Sequence, residues 1–256
     1  MTRTALVTGA SSGIGREFAR QLAATGHNLV LVARDRDRLG ALAGELEATH
    51  EVSAEVIVAD LSDRAATEMV CQRLADPHRP VDVLVNNAGF GLKAAFLDND
   101  VEDEEAGLDV MVRAVLLTCH AAGRAMRARG YGRIINVSSV AGFITSGTYS
   151  AEKAFVTVLT ESLATQLTGT GVSVTAVCPG FTHTEFHERA DLPMQWLPQW
   201  AWLSAREVVR TALADNASGR VISVPGLQWK AVTALVRAVP RPLLRTPLVS
   251  SRHRRV

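Results

Sequence analysis

Tyr149 and Lys153 stand four residues apart in a stretch that continues through Phe155, Val158, Leu159 and Leu163. On a helix this spacing puts both side chains on one face, one turn apart. A phenol ordinarily holds its proton up to about pH 10, too high for ready exchange at neutral pH, and a nearby ammonium favours the phenolate. The expectation is therefore a general acid/base, Tyr149, whose pKa is lowered by Lys153. In isolation, a Tyr-x-x-x-Lys is more often two solvated side chains on an amphipathic helix. The pair carries weight only through its neighbours.

The first neighbour is the run Thr8-Gly9-Ala10-Ser11-Ser12-Gly13-Ile14-Gly15. Glycines let a backbone turn sharply and approach a pyrophosphate, which then rests on the free N–H groups of the helix that follows. The alternative is a tight strand-to-helix turn without a ligand. No Gly-Lys-Ser/Thr occurs there, which argues against a nucleoside-triphosphatase loop. A cofactor preference follows from charge. An NAD site usually has an acidic residue at the end of the second strand for the ribose 2'-hydroxyl, whereas a 2'-phosphate calls for a cation. Here the order is Val32-Ala33-Arg34, with Arg16 after the glycine run, so NADP(H) is favoured over NAD(H); Asp35 argues the other way, and an exposed arginine at a strand end is the bland reading.

These residues need a scaffold, and the sequence describes one. Short β-branched runs at 4–8, 28–33, 54–58, 82–85, 133–137, 172–177 and 220–224 alternate with helical patterns such as 14–24, 36–48 and 64–74. Such alternation implies βαβ units and a parallel sheet covered on both faces. The expected fold is α/β: a Rossmann-type doubly wound parallel sheet of about seven strands in a single domain, residues 1–225, followed by a basic, apolar C-terminal extension, 226–256.

Three more motifs fall into order: Asn86-Asn87-Ala88-Gly89, Ser138-Ser139 and Pro179-Gly180. With the Thr-Gly-x-x-x-Gly-x-Gly turn and Tyr149-x-x-x-Lys153, the chain resembles the short-chain dehydrogenase/reductase family, its NADP-preferring branch, over roughly residues 4–224. The resemblance implies hydride transfer between nicotinamide and a carbonyl or alcohol carbon. Tyr149 would move the proton, Ser139 would hydrogen-bond the substrate oxygen, and Lys153 would hold the nicotinamide ribose. Ser138 is the competing serine, read here as a strand-end hydroxyl engaged with backbone. Cofactor contacts are implied for Gly9, Ser11, Ser12, Gly13, Ile14 and Gly15 at the pyrophosphate, and for Asp60 and Leu61 near adenine. Asn87, Ala88 and Gly89 would follow the cofactor's edge, and Pro179, Gly180, Thr182 and Thr184 the nicotinamide end. Two departures stand out. The loop from Ser139 to Tyr149 is about three residues shorter than usual, and Met111 occupies the place of a helical asparagine whose backbone carbonyl commonly holds a water. A methionine carbonyl can do the same, so slower proton relay at most is expected. The rival class, a non-catalytic NADP-binding regulatory protein of the same fold, has only Met111 in its favour.

The remaining features set bounds. Of the 256 residues 47% are hydrophobic and 21% charged, with mean hydropathy +0.12 and net charge +1, which excludes a disordered chain and gives no general attraction to nucleic acid. Cys71, Cys119 and Cys178 have no paired spacing, which fits a reducing compartment. No secretory signal or membrane span is read, and a cytoplasmic protein is expected. His183, Glu185 and His187 look like ligands but lack a supporting cluster, so no metal is expected. The acidic run from Asp98 to Glu105 is read as complementing a helix dipole. Residues 185–204, with three of the four tryptophans, are the expected lid. Their apolar density suggests a lipophilic carbonyl or alcohol substrate, with oligomer surface or plain core as an equal alternative. Self-association as a homodimer or homotetramer through helices 104–129 and 149–167 is implied by the resemblance. After Asn216 there are eight basic and no acidic side chains, against a net −7 before it. Peripheral membrane contact by the extension is one reading of this split, and packing on the protein itself is the other.

Overall fold

The structure is a computed structural model, and it describes residues 3–92, 94–186 and 198–244. Seven parallel strands form one sheet: β1 (Thr4–Thr8), β2 (Asn28–Ala33), β3 (Ala54–Val58), β4 (Val83–Asn86), β5 (Gly132–Val137), β6 (Val172–Val177) and β9 (Ile222–Ser223). Their spatial order is β3-β2-β1-β4-β5-β6-β9. The chain thus reverses direction across the sheet between β1 and β4, where a doubly wound fold opens its ligand crevice. Two short strands, β7 (Thr182–His183) and β8 (Leu203–Ser204), pair separately above that crevice. The last strand is shorter than the expected 220–224, and the fourth is shifted by one residue to include Asn86.

Helices α1 (Gly13–Ala24), α2 (Arg36–Thr49) and α7 (Ala205–Ala217) cover one face of the sheet. Helices α3 (Arg64–Ala75), α5 (Ala114–Arg129) and α6 (Gly147–Gln166) cover the other, and α4 (Val101–Leu108) packs against α6. Two central strands show why both faces are needed: Leu29, Val30, Leu31 and Val32 of β2, and Val83, Leu84 and Val85 of β4, are at most 1% exposed. Local signals place the helix starts. Asp35 accepts from the Arg38 amide and Asp63 from that of Ala65, while Ser204 and Glu207 cap α7 reciprocally. Gly130, left-handed at φ +73°, ends α5.

Between α4 and α5 the helix continues through a π turn, Asp109–Arg113. The run 101–129 is long and apolar enough to cross a membrane by length and composition, and half of its most apolar stretch is buried inside the protein. Beyond β9, α8 (Leu227–Ala238) folds back over the sheet edge, and a short turn of helix, α9 (Arg241–Leu244), follows. Most of the expected lid, 187–197, and the basic terminus with Arg245, Arg252, Arg254 and Arg255 lie outside the described residues.

Candidate active site

At the C-terminal ends of β1 and β4 the glycine run and the Asn-Asn-Ala-Gly motif are tied into one floor. The Thr8 hydroxyl accepts from the amides of Asn87 (3.0 Å) and Ala88 (3.1 Å), and Asn87 Nδ2 donates to the carbonyls of Thr8 and Gly9. The contact leaves no room for side chains. A Cβ on Gly15 would stand 2.2 Å from the Gly9 carbonyl oxygen, and one on Gly9, which has φ +64°, would stand 2.8 Å from Asn87 Nδ2. Helix α1 begins here with no side-chain cap at Ser12 and no acidic residue in its first turn, so its positive end keeps N–H groups for an anion. Ser11, Ser12 and Ile14 line this partly open rim. Thr184 closes it from above, with its Cβ 3.2 Å from where a Cβ on Gly13 would be. This cradle fits a dinucleotide pyrophosphate.

At the end of β2, Arg34 is largely exposed, its guanidinium 3.7 Å from Asp60. Asp60 also accepts from the amide and hydroxyl of Ser62, and Leu61 is buried beside it. Asp35, the residue that argued for NAD, is engaged in capping α2 and pairing with Arg38. Of the three ligand-like residues beyond β6, Glu185 pairs with Arg38 at 2.8 Å and His183 stacks on Trp202 with ring centroids 4.5 Å apart; His187 lies outside the described residues.

Ser139, Tyr149 and Lys153 converge at the end of β5. Ser139 caps a 3-10 turn, Val140–Phe143, accepting from the Ala141 amide at 3.1 Å, and its side chain lies close enough to Tyr149 to favour the phenolate. The short loop to Tyr149 is accommodated by pressing this turn onto α6: a Cβ on Gly142 would meet the Lys153 carbonyl carbon at 2.9 Å. Gly147, left-handed at φ +68°, then starts α6. The Ser138 hydroxyl, in contrast, donates to the Lys153 carbonyl at 2.7 Å and contacts Thr157. Lys153 Nζ donates to the Val137 carbonyl at 3.0 Å and lies 5.6 Å from the centre of the Tyr149 ring.

One expectation is corrected. The Tyr149 pKa is not lowered on balance: burial raises it well above the usual tyrosine range, and the Ser139 side chain only partly offsets this. The same loss of water pushes Lys153 down to about 8. At neutral pH Tyr149 thus keeps its proton, beside a lysine whose pKa burial has brought down.

Asn86, from the Asn-Asn-Ala-Gly motif, and three residues that no motif announced hold this arrangement. Asn86 Nδ2 donates to Asn136 Oδ1 (2.9 Å), Thr118 to Asn86 Oδ1 (2.8 Å), and Asn136 Nδ2 to Thr160 (2.9 Å), joining β4, β5, α5 and α6 in the interior. Buried amides without partners would be costly, and here they are satisfied by one another. The acidic run is also not wholly a solvated helix start, because Glu104 is 5% exposed. Only the two asparagines at strand ends and two threonines on helix faces could have signalled the network.

The roof is aromatic. Phe186 lies 5.9 Å from Tyr149, Phe181 packs on Trp202 and Trp229, and a Cβ on Gly180 would fall 2.0 Å from the Trp229 ring. Trp229 Nε1 donates to the Ala201 carbonyl at 3.0 Å, and Arg237 of α8 stands 5.4 Å over the Phe143 ring. Pro179 accepts from the Val140 amide, and Thr182 donates to the Gly180 carbonyl.

Comparison with known proteins agrees with this geometry. The short chain dehydrogenase family matches residues 3–194. Galactitol 2-dehydrogenase (L-tagatose-forming) of Cereibacter sphaeroides is 36% identical over 240 residues, covering 87% of this chain and 93% of that one. A short-chain dehydrogenase from Sphingobium yanoikuyae, solved in complex with NADPH, superposes with a TM-score of 0.84 at 33% identity, covering 93% of this chain and 97% of that one. The bulky-bulky ketone specific alcohol dehydrogenase from Comamonas testosteroni gives 0.79 at 32% identity, with 93% and 95% covered. The motif order, the seven-stranded sheet and these likenesses converge: the chain belongs to the short-chain dehydrogenase family and is a nicotinamide-dependent oxidoreductase.

Proposed function

We propose that the protein is an NADPH-dependent reductase of lipophilic carbonyl compounds. The observation that carries this reading is the convergence of Ser139, Tyr149 and Lys153 beside a floor shaped for a dinucleotide. The bound nicotinamide supplies the hydride. Ser139, held by the Ala141 amide, directs its hydroxyl to the carbonyl oxygen. Tyr149, kept protonated by burial, donates the proton that turns this oxygen into a hydroxyl. The Lys153 ammonium stabilises the phenolate left behind, a charge otherwise costly in this dry site. A loaded phenol suits reduction rather than oxidation. The non-catalytic alternative gains no support, because the three side chains meet as a reaction requires.

Arg34 supports the choice of NADPH. It is the cation at the end of β2, and its neighbour Asp35 is engaged elsewhere. The rings of Phe186, Phe181, Trp202 and Trp229 support a bulky apolar substrate, and the ketone specificity in the name of the Comamonas testosteroni enzyme points the same way; the galactitol enzyme points to polar polyols. Contact with an anionic membrane would rest on the outer side of α8, where Leu227 and Leu235 are 81% and 68% exposed near Lys230, and self-association on helices 104–129 and 149–167. The test of the main reading follows NADPH absorbance across aliphatic, aromatic, steroid and sugar carbonyls. Faster turnover of aryl or steroid ketones is expected. Faster turnover of sugars would overturn the substrate class.

A further inference from the structure

Glu152 precedes Lys153 on α6, and its side chain turns inward against α4. It is 1% exposed, and neither carboxylate oxygen has a hydrogen-bond partner. Facing it is Gly107, where a Cβ would stand 2.6 Å from Glu152 Oε1 and 3.7 Å from Met111 Cε. Met111 continues the contact to the catalytic side: its sulfur and the Lys153 Nζ are 3.2 Å and 3.6 Å from a Cβ placed on Gly89. One turn before Gly107, on the same face of α4, Glu104 gives one oxygen to Asn99 Nδ2 at 2.7 Å and leaves the other unpartnered. A carboxyl in a dry space ionises reluctantly, because its charge is desolvated and a second carboxylate nearby repels it.

The remaining charges around this space are few. Tyr149 and Lys153 share α6 with Glu152. Asp109 and Arg113 of the π turn pair with each other at 2.6 Å. Cys178, at the end of β6, faces Lys153 from the other side, where burial pushes the thiol up to about 11. From β5 comes only the Val137 carbonyl that Lys153 already engages.

We propose that Glu152 is a positioning residue for the reaction: buried without a hydrogen-bond partner beside Lys153, it fixes the ammonium charge of Lys153 behind Tyr149 on ionising. The idea rests on the roles given to Tyr149 and Lys153 above. Its logic is a hand-over. Burial pushes Glu152 up to about 7; the charge of Lys153 opposes this, and repulsion from Glu104 adds a smaller upward push. Lys153 is pushed down to about 8, and the Glu152 charge opposes that fall. As the pH rises through 7, the carboxyl gives up its proton to solvent just below the pH at which a lone buried amine would become neutral. The new negative charge then keeps Lys153 protonated over a wider alkaline range.

The test uses Glu152→Gln, Glu152→Ala, which leaves no amide to bury, and Glu104→Gln. In the profile of kcat/KM against pH, both Glu152 variants are expected to move the alkaline midpoint down by about one pH unit, the scale of one close charge interaction, while Glu104→Gln leaves it in place. The second readout is the Tm of the cofactor-free protein against pH. An acid whose folded pKa lies above its unfolded value stabilises the fold only while protonated, so wild-type Tm is expected to fall as the pH rises from about 4.5 to about 7; all three variants flatten that fall. Alkaline limbs that coincide for wild type and both Glu152 variants would overturn the positioning role, and coincident Tm curves would overturn the burial of Glu152 in its protonated form. The Tm curves stand without turnover, so failure of the carbonyl-reductase reading is seen separately.

Discussion

Along the floor of the site, from Gly9 to Asn87, contacts run between backbone atoms and short polar side chains at the ends of parallel strands. Along the roof, from Phe181 to Trp229, they run ring on ring. The floor allows almost no variation, because a single methyl group at Gly15 would strike a carbonyl oxygen. The roof holds its rings 4.5–5.9 Å apart with few directional bonds, and packing of that kind tolerates changes of shape. On the function proposed above, cofactor geometry and proton transfer would belong to the rigid part, and choice of substrate to the adaptable one.

Three substitutions sharpen or break this division. Tyr149→Phe is expected to lower kcat about a thousandfold, the scale of losing a positioned proton donor, while the Kd for NADPH, read by fluorescence, stays unchanged. Retained turnover would break the assignment of chemistry to the β5 end. Arg34→Asp is expected to weaken NADPH by roughly ten- to a hundredfold through loss of a charge-assisted contact, with NADH little affected; equal changes in the two affinities would remove Arg34 as the selector. Trp229→Ala is expected to cost about 3 kcal/mol in thermal unfolding and to raise KM for bulky ketones a few-fold, with kcat for a small ketone nearly intact. A large loss of kcat would show that roof and floor are not separable.

The same division explains what could be read from the residues alone. Parallel strands buried on both faces write continuous apolar runs such as Leu29–Val32, and a phosphate turn needs glycine, so fold class and glycine run were legible. Ser139, Tyr149 and Lys153 were legible as a set because their spacing belongs to a recognisable family; that they converge is a finding of the fold. The sign of the Tyr149 shift was not, since it depends on how much water the folded site excludes, a property no spacing encodes. Glu104 looked like one more acid in a solvated run, and only its contact with α6 shows otherwise. The Asn86–Asn136–Thr118–Thr160 network spans residues up to 74 positions apart, beyond the reach of any local pattern.

The π turn at Asp109–Arg113 carries a consequence for the whole of 101–129. One extra residue in a turn rotates everything before it by about 100° relative to everything after it. The helix therefore works as two faces joined out of phase: α4 shows Glu104 and Gly107 to α6, while α5 shows Thr118, Cys119 and Ala122 to the sheet interior. A plain α-helix of the same sequence could satisfy one of these partners but not both. In a lineage of such chains, gaining or losing a single residue at this turn would act as a switch of helix phase, changing what stands behind Lys153 without altering any residue that touches it.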